Sequence, residues 1–310
     1  MVQGDRNFHR RERIAAIAEW SKAGVQQPRR PLPIERAFAE RVAQMNRPLF
    51  RPLELPNVGG VEYHRQVSYL VDAYDSIPAR VDIAFDSVWK AFEAATKRAA
   101  SGNVTDRLKK LAAGSGLDSG ILSLLLADIP AQSCEYLFKR LVIDFGSLVD
   151  PEERHRHQPN RRLAGVGDQD FATLLSVLQT RYGSNGDHAD HRKGAMLLRR
   201  ALSGEKVDLQ GVDVTLSLPV RSAVLLSGLL YTARNDRFHG ESFSPFVSSA
   251  ATIRTYTHPY FLFLASYSLL SSLWLGSGPC GVGLQRDDVV ANISANLEAA
   301  HDLFGRHWLG

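Results

Sequence analysis

The residues best suited to chemistry lie in one short run, LLSGLLYTARNDRFHGES, residues 225–242. An uncharged apolar stretch gives way abruptly to Arg234, Asn235, Asp236, Arg237, Phe238, His239, Gly240 and Glu241. Such a cluster at the end of a core helix is costly unless it faces water, pairs or lines a cavity. His239 is of the type that titrates near neutral pH and can act as general base or acid. Arg234 stays charged and can grip a phosphate through two donors. The same residues also have structural uses, since arginine complements a helix C-terminus and Gly240 can stop a helix. Five positions separate Arg234 from His239, about 500° along a straight helix and about 140° around its axis. They share no face, so joint action requires a bend near residues 236–238 or a second chain.

The run resembles the signature of the HEPN superfamily, an all-α family of nucleases and nucleotide-associated domains. That signature is an arginine, usually followed by Asn, Asp or His, and then a histidine a few residues on. Arg234, Asn235, three residues and His239-Gly240 match its Arg-Asn-x-x-x-His form. Residues 85–99, FDSVWKAFEAATKRA, look like the aromatic-rich first helix of many such domains. The resemblance implies a metal-independent endoribonuclease with no cofactor, acting on RNA as a homodimer in which the motifs of two protomers meet. It implies His239 as general acid/base, Arg234 as the clamp on the phosphorane, and Asn235 as a positioning group. The implied products are a 2′,3′-cyclic phosphate and a 5′-hydroxyl. A toxin or phage-defence setting follows by the same analogy, with an antitoxin or defence-system protein as a further partner. One toxin branch carries a tyrosine two residues after the histidine; here that position is Glu241. Asp236 and Glu241 put negative charge beside an RNA site, which leaves a non-catalytic HEPN-type binding or scaffold module as the alternative.

Other groups compete for attention. Arg237, Arg161 and Arg162 are candidate substrate contacts. The last two lie in ERHRHQPNRRLAG, residues 153–165, a stretch that reads as a polar, basic loop in which His155 and His157 could also touch phosphate. Asp187, His188, Asp190 and His191 could ligate a divalent metal, but a solvated loop explains them better, and no metal is expected. Glu93 could assist the site, although a helical pair with Lys97 accounts for it. Ser115, between two glycines, reads as a helix break. No Walker loop, dinucleotide glycine fingerprint or Gly-x-Ser-x-Gly elbow is present.

The elements that must position these residues are mostly α-helical. The chain has 310 residues, 44% of them hydrophobic, enough for a sizeable core. Two distant cysteines form no disulfide framework or metal spacing, and the start is polar and basic rather than a secretory signal, so a cytoplasmic location is expected. Residues 1–60 carry eleven Lys/Arg against six Asp/Glu, while the rest is close to balance. They read as a basic, proline-interrupted arm holding two short helices, ahead of a HEPN-like helical bundle over 61–310. Val81, Ala84, Phe85, Val88, Trp89, Phe92 and Ala95 fall on one helical face, with Asp86–Lys90 and Glu93–Lys97 pairs expected on the other. Helical segments are expected at 117–126, 136–142, 171–178, 196–202 and from 219 toward Arg234, with a last helix after Asp288. Alternation across 207–218 around residues 210–211 predicts a small β-hairpin. The nearly uncharged stretch 259–275 approaches the length of a membrane span, but its serines and tyrosines favour a buried central helix, and no membrane contact is expected.

Overall fold

The computed structural model describes residues 6–25, 29–58, 60–114, 116–164, 166–183, 187–209, 211–248 and 250–310. It is mostly helical, 71% helix against 2% strand. Ser115 and the side chain of His155 lie outside the described residues.

The stretch read as a central helix is one. It runs Ile253–Leu273 and is buried almost without interruption from Tyr256 onward. It begins more than a turn before the expected start, because Thr252 and Thr255 form a reciprocal cap and the chain continues through Pro259. A helix apolar on every side must be covered on every side. Val81–Ala99 packs along it, Val61–Asp75 packs on Val81–Ala99 in turn, and Ala131–Phe138 and Arg286–Phe304 contact it elsewhere. No single helix among the described residues is long and apolar enough to cross a membrane.

The basic segment divides by burial. In Arg6–Ala23 the predicted apolar stripe stays open, with Ile14 and Ile17 72% and 60% exposed. In Pro33–Ala43, Phe38 enters the core against Tyr256, ring centroids 4.5 Å apart. The following extended chain straps onto the bundle. Tyr260 donates to the Leu49 carbonyl (2.9 Å), the Leu53 amide donates to Tyr267 (2.8 Å), and Asn296 holds both backbone groups of Arg51.

Several elements differ from expectation. The hairpin is reduced to Val207–Asp208 and Asp213–Val214, antiparallel with Val207 opposite Val214. The supposed loop at 153–165 forms two short helices, Pro151–Arg156 and Gln158–Ala164. The helix expected at 196–202 begins at His188, because the Asp187 side chain accepts from the Ala189 and Asp190 amides and caps it. Asp287 and Asp288 lie inside the first turn of Arg286–Phe304, where acidic groups interact favourably with the helix dipole, and a further short helix, Arg306–Leu309, ends the chain.

The helix that carries the Arg-Asn motif is continuous over 218–238 but not uniform. Leu218–Ala223 is α-helical, Val224–Leu230 is π-helical, and Tyr231–Phe238 is α-helical again. A widened turn leaves backbone groups short of their usual partners. The Ser227 carbonyl accepts from Arg162 Nε and from Thr232 Oγ1, both at 3.3 Å. Arg162 also donates to Thr232 Oγ1 (2.5 Å) and lies 5.1 Å over the Tyr231 ring. Expected to touch substrate, Arg162 is instead buried in the core, where it fastens the π-helical turn. Its neighbour Arg161 is exposed. Arg162→Ala should therefore lower unfolding stability by about 2–3 kcal/mol in a urea titration, while Arg161→Ala should stay within about 0.5 kcal/mol of the parent. Equal effects would contradict this division.

Candidate active site

One stripe of Val81–Ala99 faces the motif helix: Asp82, Asp86, Trp89 and Glu93, spaced four, three and four residues apart. Residues at that spacing align along one side of a helix. Arg237 donates to Asp86 through two nitrogens, at 2.8 and 2.6 Å, and reaches Asp82 at 3.3 Å. Trp89 stacks on Tyr231, ring centroids 6.0 Å apart. Glu93 accepts the Trp89 indole N–H at 3.0 Å and lies 4.0 Å from Arg234. The expected surface pairs with Lys90 and Lys97 are thus replaced by contacts between helices, and Lys90 lies over Tyr69 instead. Arg237, expected as a substrate contact, is engaged by two carboxylates of its own chain.

Asp82 is 1% exposed and also binds Arg80 (3.0 and 2.9 Å) and Ser244 (3.2 Å). Burial pushes its carboxyl upward, but the Arg80 and Arg237 guanidiniums and the Ser244 hydroxyl outweigh that and hold it below the usual carboxylate range. Asp236 is tied on a different side. Its Oδ2 accepts from Tyr136 at 2.5 Å and from Arg140, which also binds Asp144 at 2.9 Å and lies 3.6 Å from Glu241. Arg140 thereby answers the negative charge that the sequence places at 236 and 241.

The motif helix ends at Phe238. His239 takes φ −90° and ψ 3°, and Gly240 takes the left-handed φ of 73°. The Glu241 amide donates to the Asp236 carbonyl (2.8 Å) and the Gly240 amide to that of Arg237 (3.3 Å), the pattern of a glycine-terminated helix. His239 therefore leaves the helical path at the chain reversal. It is exposed, and its imidazole has no hydrogen bond or ion pair among the described residues. Arg234 donates to Asn235 Oδ1 at 3.0 Å and lies 4.1 Å over the Phe238 ring, itself 52% exposed. Its Nε is buried without a partner. Arg234, Asn235 and Glu93 are thus brought together, with His239 at the same helix end, where its amide donates to the Asn235 carbonyl (2.9 Å) and its imidazole bonds to none of them.

The other candidates separate from this cluster. His157 pairs with Asn160 at 3.0 Å, and burial lowers its imidazole below the ordinary value. Asp187 is a helix cap and Asp190 pairs with Lys193 at 2.8 Å. Among the described residues no group of three or more His, Cys, Asp or Glu is placed to hold a metal ion. Sequence reasoning missed Tyr136, Arg140 and His258. Tyr136 and Arg140 carry a local signal, four residues apart on a segment that otherwise reads as apolar. His258, directly ahead of Pro259, offers none beyond its residue type.

Comparisons with protein-family models, with curated proteins and with solved structures return no match to this chain.

Arg237→Ala takes the two-nitrogen partner from Asp86 and one of two guanidiniums from Asp82, which keeps Arg80, and should reduce stability by about 2 kcal/mol in denaturant unfolding, with little change from Arg234→Ala. The low carboxyl of Asp82 supplies stability that is fully present above the unfolded value of 3.8 and is lost as pH falls through its lower folded value. Asp82→Asn should therefore flatten the acid limb of a stability–pH curve below about pH 4. An unchanged slope would show that Asp82 does not drive that limb.

Proposed function

We propose that this chain is a metal-independent endoribonuclease of HEPN type, working as a homodimer at a composite site. One observation carries the reading. Within the run 234–240, the fold engages Asp236, Arg237 and Gly240 in structural work. It leaves the His239 imidazole exposed without a partner and Arg234 and Asn235 half-exposed at its side. The three signature residues are thus the ones for which packing gives the least account.

Their chemistry is sufficient for RNA transesterification. His239 removes the proton of a 2′-hydroxyl, and that oxygen attacks the adjacent phosphorus. The phosphorus–O5′ bond breaks, giving a 2′,3′-cyclic phosphate, and the departing 5′ oxygen takes a proton from the second copy's His239. Arg234 steadies the charge that builds on the phosphorane oxygens. Asn235 orients the guanidinium through its side-chain oxygen. A toxin or phage-defence effector is the setting that this activity fits.

A binding or scaffold module is the second reading, favoured by Glu93 beside Arg234 and by the exposed Phe238 ring. Incubating the purified protein with end-labelled RNA in EDTA separates the two. Ribonuclease action predicts fragments ending in cyclic phosphate and a loss of about 100-fold or more in His239→Ala, with the melting temperature unchanged because His239 is exposed. Undiminished cutting by His239→Ala overturns the assignment. Absence of cutting by the parent, with a changed oligomer mass in Arg234→Ala by light scattering, assigns the scaffold role instead.

A further inference from the structure

Behind the motif helix lies a cavity of about 250 Å³. Asp236 and Arg237 form one wall, Tyr136 and His258 another, and Phe243 and Ala251 stand among the remaining lining residues. It is smaller than the roughly 300–1,000 Å³ typical of drug-sized ligands, so it suits a single flat ring system. Ser242 and Phe243 follow His239 by three and four residues, which puts the cavity beside the proposed cleavage centre.

Its polar groups favour a neutral ligand over a phosphate. The guanidinium in its wall, Arg237, is already held by Asp86 and Asp82. Burial, reinforced by Arg237, pushes the His258 imidazole down to about 3, so it carries no charge near neutral pH. The ring is fixed by stacking on Tyr136, centroids 4.6 Å apart, and by a 3.1 Å hydrogen bond between Nδ1 and Ser133 Oγ. We assign Ser133 as the donor to Nδ1; the other nitrogen then bears the proton, and Nε2 has no hydrogen-bond partner among the described residues. Asp236 binds Tyr136 and Arg140 through Oδ2 alone, which leaves Oδ1 as an acceptor. The Phe243 ring is 68% exposed; the Arg13 guanidinium lies 5.7 Å over it on one side, and its other face can take a stacked base.

We infer that this cavity receives one adenine or cytosine base of the RNA strand, read by Asp236 Oδ1 and His258 Nε2–H. Those two bases present an exocyclic amine beside a ring nitrogen acceptor, the complement of one acceptor and one donor. Seated in the same way, with the exocyclic group on Asp236 and the ring nitrogen on His258, uracil sets its carbonyl against the carboxylate and its N–H against the imidazole N–H, and neither bond forms. Single-stranded RNA is commonly read in this way, with a splayed base stacked on an aromatic ring and hydrogen-bonded along its edge. The RNA source of the base rests on the ribonuclease reading; the recognition chemistry does not.

The test uses full-length His239→Ala protein, so that cutting does not interfere, with fluorescent oligo(A), oligo(C) and oligo(U) in an anisotropy titration. Oligo(A) and oligo(C) should bind about tenfold more tightly than oligo(U), the scale of one base-edge pair. Ala251→Leu, which fills the cavity from a half-exposed position outside the helical core, should abolish that preference and leave oligo(U) binding unchanged. His258→Phe keeps the stack and loses the donor, and should abolish it too. Equal binding of all three strands, or a preference that survives both variants, overturns the inference. Displacement of oligo(A) by adenosine monophosphate at equal base concentration overturns the strand as the source and assigns the site to free nucleotide. A parent protein that cuts no RNA but keeps the preference disproves the reaction and leaves the base site standing.

Discussion

The fork of Arg237 on Asp86 and Asp82 is the contact on which the placement of the motif depends. Asp82 is almost wholly enclosed, and a carboxylate there is tolerable only while cations surround it. Sliding or turning the motif helix would withdraw one of those two cations and leave Asp86 without its partner. Arg237 therefore fixes the helix along its axis and about it. Trp89 against Tyr231 secures the earlier turn by stacking, and Glu93 sets a weak boundary beside Arg234. The motif rests on a paired and packed surface rather than on a loop, which suits a site that must hold its geometry.

Neighbouring residues of one short run thus have opposed duties. Asp236 and Arg237 point into ionic networks on two sides of the helix, one with Tyr136 and Arg140, the other with Asp82 and Asp86. Gly240 closes the helix because its left-handed backbone suits a residue without a side chain. His239 is left to face outward, with Arg234 and Asn235 half-exposed beside it. The negative charge of Asp236 is offset locally, because a guanidinium and a phenol occupy one of its oxygens.

Much of the helical order was legible in the sequence, because apolar spacing records which face is buried. The face of Val88, Phe92 and Ala95 is in the core, and the long uncharged helix is its centre. Charge pairing was not legible. Asp86 and Glu93 stand four residues before lysines, and that spacing is the same whether a carboxylate meets its own helix or another. Arg161 and Arg162 are adjacent and chemically identical, yet one is exposed and the other buried against Tyr231. Only the phase of a helix that the basic composition concealed separates them. At the candidate site, the helix stop at Gly240 could be read from residue type, whereas the ties of Asp236 to Tyr136 and Arg140 bridge about a hundred residues and could not.

The π-helical segment Val224–Leu230 has a consequence for how orientation is encoded. A wider turn holds an extra residue in the path of an α-helix, and one residue is about 100° of rotation. The direction in which the final two turns face is therefore set by a count of residues upstream as well as by side chains. Removing one residue from 224–230 would turn Arg234 and Asn235 away from their present side without altering either of them. It would also turn Arg237 away from its carboxylates. The buried Arg162, holding the loosened Ser227 carbonyl, acts as the detent that keeps this count from relaxing.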